Sequence, residues 1–373
     1  MRKIVFLTGT RADFGKIKAL VNSIEDHPEY DPYLFVTGMH MLEAYGYTVI
    51  EVERSGFKNI YKYKNHTDET TMDLTLAKTI EGFSAYVKTI KPDLIVVHGD
   101  RVEALAGAIV GSLNNILVAH IEGGEISGTI DELIRHSVSK LSHIHYTSNE
   151  SAKKRLLQMG ELENSIFTIG SPDVDIMFSK HLPSIDEVKH YYEITFNQFA
   201  LAMYHPVTTE YDGIEAKAKQ FVEALIASEK NYVVIYPNND LGSKHILKAY
   251  QKLKGHEKFK IFPSIRFEYF LTLLKHSDFI IGNSSAGVRE APYYGIPTVN
   301  VGTRQQNRVH GESILNCVTS KNDILKTISD LDTLKPNIVE VFGAGNSAKL
   351  FLDSLEHSEV WNINHQKQFR DAY

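Results

Sequence analysis

The stretch Leu94-Ile95-Val96-Val97-His98-Gly99-Asp100-Arg101 decides the fold. Four apolar residues, three of them β-branched, run into a histidine, a glycine and a charged pair. Residues 104–113 follow with the apolar spacing of an amphipathic helix, and residues 116–122 form a second apolar run. Strand, helix, strand at this spacing reads as a βαβ unit. An apolar run without alternation marks a strand buried on both faces, the habit of parallel sheets.

Working outward, the same alternation recurs. Residues 3–8 and 32–37 come before it, and 143–148 and 166–169 after it, with a helical pattern over 151–159. Gly170-Ser171-Pro172-Asp173 interrupts the pattern, and a polar stretch containing Pro183-Ser184-Ile185-Asp186 follows. Apolar runs resume at 199–204, 232–236, 259–262, 279–282 and 298–301. This places a domain boundary between about residues 170 and 198. A turn near residues 356–358 precedes a helical segment over 360–370. The expected architecture is α/β, two Rossmann-like doubly wound domains with a cleft between them. Ligands of such sheets sit at the carboxyl ends of the strands.

Composition narrows the function. The chain has 373 residues, room for two cores, with 43% apolar and 23% charged residues. A net charge of -6 argues against a general nucleic-acid or membrane-surface binder, which would carry a basic excess. A single cysteine, Cys317, permits neither an internal disulfide nor a cysteine-based metal site and suits a reducing compartment. The apolar run after Met1-Arg2-Lys3 is too short for a signal peptide, and no stretch reaches the roughly 18 apolar residues of a membrane span. A cytoplasmic location is expected.

The unusual residues fall at strand tips. The first strand ends in Thr8-Gly9-Thr10-Arg11-Ala12-Asp13-Phe14-Gly15 before a helix. Glycines after a strand let backbone approach a phosphate, and a helix start offers free N–H groups. Taken alone, this loop reads equally well as a tight turn with a solvated Arg11 and a capping Asp13. Neither the dinucleotide glycine fingerprint nor a P-loop is present. Asp100 and Glu122 sit at the tips of two apolar strands, and Asp131 nine residues later at a helix start, where capping is its alternative reading. Glu122 stands in a glycine-flanked loop with no helix to cap. Carboxylates gathered at one sheet edge can raise one another's pKa, which is how a base and an acid arise near neutral pH.

In the second half, His205 ends a strand in Met203-Tyr204-His205-Pro206. Asn238 lies in a donor-rich loop, Tyr236-Pro237-Asn238-Asn239-Asp240. Gly282-Asn283-Ser284-Ser285 opens a further helix suited to a diphosphate, and Glu290 is placed to accept ribose hydroxyls. Gly302-Thr303-Arg304 adds a cation. Metal chemistry is the weaker reading: His143 and His145 are two apart on a strand, and no H-E-x-x-H occurs. No metal and no cofactor is expected.

Together these residues resemble the UDP-N-acetylglucosamine 2-epimerase family over nearly the whole chain. The resemblance is carried by Gly9-Thr10-Arg11-Ala12-Asp13, His98-Gly99-Asp100-Arg101, His120-Ile121-Glu122-Gly123-Gly124-Glu125, His205-Pro206-Val207-Thr208-Thr209, Gly282-Asn283-Ser284-Ser285 and Gly302-Thr303-Arg304. The Ile-Glu-Gly-Gly-Glu reading is similar to the hydrolysing branch that feeds sialic acid synthesis. Ile130-Asp131-Glu132 departs from the family's Pro-Glu-Glu, keeping the acid but shortening it by one methylene.

The resemblance implies a GT-B fold. Residues 1–172 would form the first domain, with a C-terminal helix (about residues 357–373) packed back on it. Residues 173–356 would form a UDP-binding second domain. It implies Asp100, Glu122, Asp131 and His205 as catalytic residues. It implies Arg11, Asp13, Arg101, Asn238, Ser284, Ser285, Glu290 and Arg304 as contacts to a UDP-sugar. It implies a homodimer. The activity implied is hydrolysis of UDP-N-acetylglucosamine with inversion at C2. Three alternatives stand beside it: the same chemistry on UDP-2,4-diacetamido-2,4,6-trideoxyglucose, a GT-B glycosyltransferase, and a non-catalytic nucleotide-sugar sensor.

Overall fold

The computed structural model describes residues 1–66, 71–127, 129–305, 311–334 and 338–371. Seven strands form the first sheet: β1 (Arg2–Thr8), β2 (Tyr30–Val36), β3 (Ile60–Lys62), β4 (Leu94–His98), β5 (Leu117–Ile121), β6 (Ile144–Thr147) and β7 (Ile166–Thr168). All pairs are parallel, in the order β3-β2-β1-β4-β5-β6-β7. Six more form the second: β8 (Ala200–Met203), β9 (Tyr232–Ile235), β10 (Phe259–Phe262), β11 (Ile280–Gly282), β12 (Thr298–Val301) and β13 (Ile314–Cys317). Their order is β10-β9-β8-β11-β12-β13, again parallel throughout. In each sheet the order reverses once, between β1 and β4 and between β8 and β11. Those reversals are the topological switch points where doubly wound sheets bind ligands.

Each unit has its own core. In the first, Ile4, Phe6, Val96 and Ala119 on strands are fully or almost fully buried against Ile17, Leu20, Val21 and Ile24 of the helix Arg11–Glu25. These four recur at helical spacing, so one face of that helix lies on the sheet. In the second, Ala202, Val234, Ile281 and Val299 pack against Phe221, Val222 and Leu225 of the helix Ile214–Ala227.

The chain passes from one unit to the other after Ser179, inside the expected stretch of residues 170–198, although the bounds differ from 1–172 and 173–356. The first comprises Met1–Glu125, Asp131–Ser179 and Val341–Tyr373, and the second Ile126–Ile130 and Lys180–Glu340. The helices Pro172–Met177 and Ser347–Glu356, expected in the second domain, therefore belong to the first. Hydrogen bonding explains why. Asp175 caps the later helix, accepting from the N–H groups of Ser347 at 2.9 Å and Ala348 at 2.7 Å. Phe351 then packs on Phe6 and Tyr146, and the Tyr146 hydroxyl meets Ser354 at 2.8 Å.

The expected helix over residues 360–370 is a second correction. Helix continues only through Ser358–Trp361, and the chain beyond it, residues 362–371, is irregular, with residues 372 and 373 of the expected segment lying outside the described ones. Its polar groups bond to other elements rather than to the preceding turn. His365 Nδ1 meets the Asn115 carbonyl, and Lys367 donates to the carbonyls of Ser139 and Ser142. Strands β3 and β13, which no apolar run marks, close one edge of each sheet.

Candidate functional site

The tips of β1, β4 and β5 meet helix-borne groups of the first unit. Glu122 follows β5 directly, is 3% exposed and has φ of +62°. A non-glycine residue in the left-handed region costs about 1–2 kcal/mol, so the surroundings must hold it there. They do so at both ends of its backbone: its N–H donates to the Tyr146 carbonyl at 2.8 Å, and Arg135 Nη1 donates to its carbonyl at 2.6 Å. Its carboxylate is then aimed at three partners. Ser171 Oγ donates to Oε1, Lys16 Nζ lies 3.5 Å from Oε1, and His98 Nε2 lies 3.2 Å from Oε2. Lys16 also pairs with Asp173 Oδ2 at 2.9 Å. The side chains of Lys16, Glu122 and Asp173 are nearly buried, so each charge depends on its partners.

Asp100, at the β4 tip, pairs with Arg135 Nη2. Arg135 therefore links the Asp100 carboxylate to the Glu122 backbone from one position in the helix Ile130–Leu141. Asp131 stands half-buried in the first turn of that helix, four residues before Arg135. At the β1 tip, Asp13 forms a capping box with Thr10. It accepts from the Gly9 N–H at 2.9 Å and from the Thr8 hydroxyl. Burial raises its carboxyl above the ordinary range against the pull of those bonds. Arg11 Nη2 lies 4.0 Å from Glu51, and Arg101 Nε lies 3.4 Å from Glu103.

In the second unit the β8–β11 switch point is stitched by amides. The His205 N–H donates to Asn283 Oδ1 at 2.6 Å, and Asn283 Nδ2 returns a bond to the His205 carbonyl at 2.9 Å. The Asn238 backbone N–H donates to His205 Nδ1 at 3.0 Å. Nδ1 is thus an acceptor, and in the neutral ring Nε2 bears the proton. Gly282, at φ of +133°, admits this close approach, since a Cβ there would lie 1.9 Å from the Met203 carbonyl oxygen. The Asn283 carbonyl accepts from Arg304 Nη1 at 3.3 Å and Gln305 Nε2 at 2.9 Å. Ser284 Oγ accepts from the Ala286 N–H at 3.3 Å, at the head of the single turn Ala286–Arg289. Glu290 ends that turn and is 4% exposed.

Among the sequence-marked residues, Asp100 and Glu122 come together on Arg135 in the first unit. His205, Asn238 and Arg304 converge on Asn283 or its partner in the second. Sequence reasoning passes over Lys16, His98, Ser171 and Asp173 as functional positions. A signal for Lys16 is available, a lysine between Phe14-Gly15 and Ile17 on an otherwise apolar helix face. Among the described residues no group of three or more His, Cys, Asp or Glu is arranged to hold a metal ion.

Two doubly wound units of this kind form a GT-B fold, and solved structures share it. The epimerase of Methanocaldococcus jannaschii, in complex with UDP-GlcNAc and UDP, superposes with a TM-score of 0.81 at 24% identity, covering 95% of this chain and 99% of that one. An epimerase of Neisseria meningitidis bound to UDP-GlcNAc gives 0.80 at 20% identity over the same shares. At such identities the likeness is one of fold.

Residues 22–356 match the family model described as UDP-N-acetylglucosamine 2-epimerase, and the chain belongs to that family. A UDP-N-acetylglucosamine 2-epimerase of N. meningitidis serogroup B is 48% identical over 100% of this chain and 99% of its own. A hydrolysing UDP-N,N'-diacetylbacillosamine 2-epimerase of Legionella pneumophila is 32% identical over 97% and 98%. The polysialic acid biosynthesis protein P7 of Escherichia coli is 34% identical over 88% and 86%.

Proposed function

We propose that the chain is a hydrolysing UDP-N-acetylglucosamine 2-epimerase. It would convert UDP-N-acetylglucosamine and water to N-acetylmannosamine and UDP. The observation that carries this is the 48% identity, end to end, with the meningococcal UDP-N-acetylglucosamine 2-epimerase. The hydrolysing outcome draws support from the Legionella relative, and a place in sialic acid synthesis from the E. coli relative.

The chemistry suits the groups present. A base removes the C2 proton, and its electron pair forms the C1–C2 double bond while the C1–O bond to UDP breaks. The product is 2-acetamidoglucal. Water then supplies hydroxyl to C1, and an acid returns a proton to C2 from the opposite face. Two proton transfers on opposite faces require more than one ionisable group. Asp100, Glu122, Asp131 and His205 are assigned that work. Arg11, Asp13, Arg101, Asn238, Ser284, Ser285, Glu290 and Arg304 are assigned to the UDP-sugar, where cations and backbone donors stabilise the departing diphosphate. Cytoplasmic residence rests on the single cysteine, and a homodimer on the family resemblance. Among the described residues no helix is long and apolar enough to cross a membrane.

A second reading keeps the reaction and changes the sugar to UDP-2,4-diacetamido-2,4,6-trideoxyglucose. The Legionella relative favours it. Purified protein given each nucleotide-sugar without acceptor separates the two. N-acetylmannosamine and UDP from the first substrate support the proposal. Turnover of the second alone moves the substrate, and no UDP release from either contradicts both.

A further inference from the structure

His120 shares a motif with Glu122, yet the proposed chemistry gives it no work. It lies on β5, two residues before Glu122, with no exposure to solvent. Its Nε2 is 2.8 Å from the Gly99 carbonyl oxygen, and its Nδ1 is 3.0 Å from Ser139 Oγ. A carbonyl only accepts, so Nε2 carries the proton and Nδ1 accepts from the serine hydroxyl. The two residues it joins are informative. Gly99 immediately precedes Asp100, and its own N–H is held by the Ile121 carbonyl at 3.0 Å. Ser139 lies one helical turn after Arg135, the residue that pairs with Asp100. The imidazole therefore closes a loop that runs from Gly99 through Asp100, Arg135 and Ser139 back to itself.

Two neighbours reinforce that loop. A Cβ on Gly123 would lie 2.9 Å from His120 Nδ1 and 3.0 Å from Ser139 Oγ, so only glycine leaves this bond undisturbed. From the C-terminal segment, Lys367 Nζ donates to the carbonyls of Ser139 at 3.4 Å and Ser142 at 2.5 Å, holding the last turn of the same helix.

We propose that His120 is a positioning residue that ties the Gly99–Asp100 turn to the Ile130–Leu141 helix and so keeps the Asp100 carboxylate on Arg135. Burial drives its own pKa down to about 3, with the Arg135 charge adding to the effect and the Gly99 carbonyl opposing it. It thus stays uncharged near neutral pH and acts through the groups it holds. The inference rests on the proposed function only where turnover is the readout.

Two near-isosteric variants each cut one end of the tie. His120→Gln can still donate to the Gly99 carbonyl but loses Ser139, and His120→Asn can still reach Ser139 but loses the carbonyl. With UDP-N-acetylglucosamine, both are expected to lose kcat about tenfold or more with KM nearly unchanged, since a displaced catalytic group costs rate rather than binding. A kcat within about threefold of the parent in either variant, or a change confined to KM or to melting temperature, would overturn the proposal. Crystal structures of both variants supply the readout that needs no activity. Asp100 displaced from Arg135 in both supports the tie, and an unmoved pair in either overturns it. Should one of them fail to fold, Ser139→Ala cuts the helix end of the tie alone, and its Asp100–Arg135 geometry decides. A parent protein that leaves UDP-N-acetylglucosamine untouched would count against the proposed function, and the structures would still decide the role of His120.

Discussion

At the reversal between β1 and β4 the first unit gathers carboxylates with a lysine, a histidine and an arginine. At the corresponding reversal between β8 and β11 the second unit gathers amides, hydroxyls, one imidazole and the guanidinium of Arg304. The scaffolds match strand for strand at these points, yet the buried chemistry differs. In the first, Glu122 and Asp173 share Lys16, and Asp100 is held by Arg135. In the second, the Asn283 side chain pairs with the His205 backbone, and its carbonyl collects Arg304 and Gln305. Charged groups in near-buried surroundings can exchange protons with a substrate, whereas neutral donors can orient one. Under the proposed function one topology would support two kinds of work, with His205 the one proton-transfer group assigned to the second unit.

The largest effects are expected at Glu122 and Asp131. Glu122→Gln and Asp131→Asn are expected to retain the fold and UDP binding while losing turnover by about 10²-fold or more, the worth of a positioned acid or base. Activity of either variant within about threefold of the parent would remove that residue from the acid–base set.

The second unit should answer differently. Glu290→Ala is expected to weaken UDP binding about tenfold, because a hydrogen bond to a charged acceptor is worth roughly 1.5–3 kcal/mol. Its effect should lie in affinity, read by calorimetry. An unchanged dissociation constant would detach Glu290 from the ribose.

Much of this contrast is legible in the amino-acid sequence, because the tip residues directly follow apolar runs. Asp100, Glu122 and Arg304 stand just beyond runs rich in β-branched residues, and His205 directly follows the apolar run Phe199-Ala200-Leu201-Ala202-Met203-Tyr204. Contacts between distant segments are not legible there. Ser171 and Asp173 reach Glu122 and Lys16 from a helix that sequence spacing places near a domain boundary. The edge strand β3, Ile60-Tyr61-Lys62, is too short and too exposed to show a period. The chain beyond Trp361 has residues fit for a helix, but tertiary bonds to the Ser139 and Ser142 carbonyls and to Glu161 override that tendency.

A smaller effect sharpens the contrast between charges at the strand tips and charges elsewhere in the first unit. Glu161, in the loop after the helix Glu150–Gln158, pairs with Lys140 at 2.8 Å, His145 at 2.9 Å and Lys367 at 2.6 Å. Burial pushes its carboxyl up, but His145, Lys367 and Lys140 outweigh that and hold it at about 2. A depressed pKa contributes stability that is present above the unfolded value, near about 4.3, and is lost as pH falls toward the folded one. Glu161→Gln should therefore be less stable than the parent above about pH 5, with the gap closing as pH falls below about 4. Urea unfolding of both proteins across that range checks it. A gap independent of pH would mean that Glu161 acts by packing alone.

The most direct test of the account is the reaction in D₂O with UDP-N-acetylglucosamine alone, followed by proton NMR. The expected products are UDP and N-acetylmannosamine that carries deuterium at C2, because the abstracted proton exchanges before solvent returns one to the opposite face. Release of N-acetylglucosamine with hydrogen retained at C2 would mean simple glycosyl hydrolysis and would contradict elimination through the glycal.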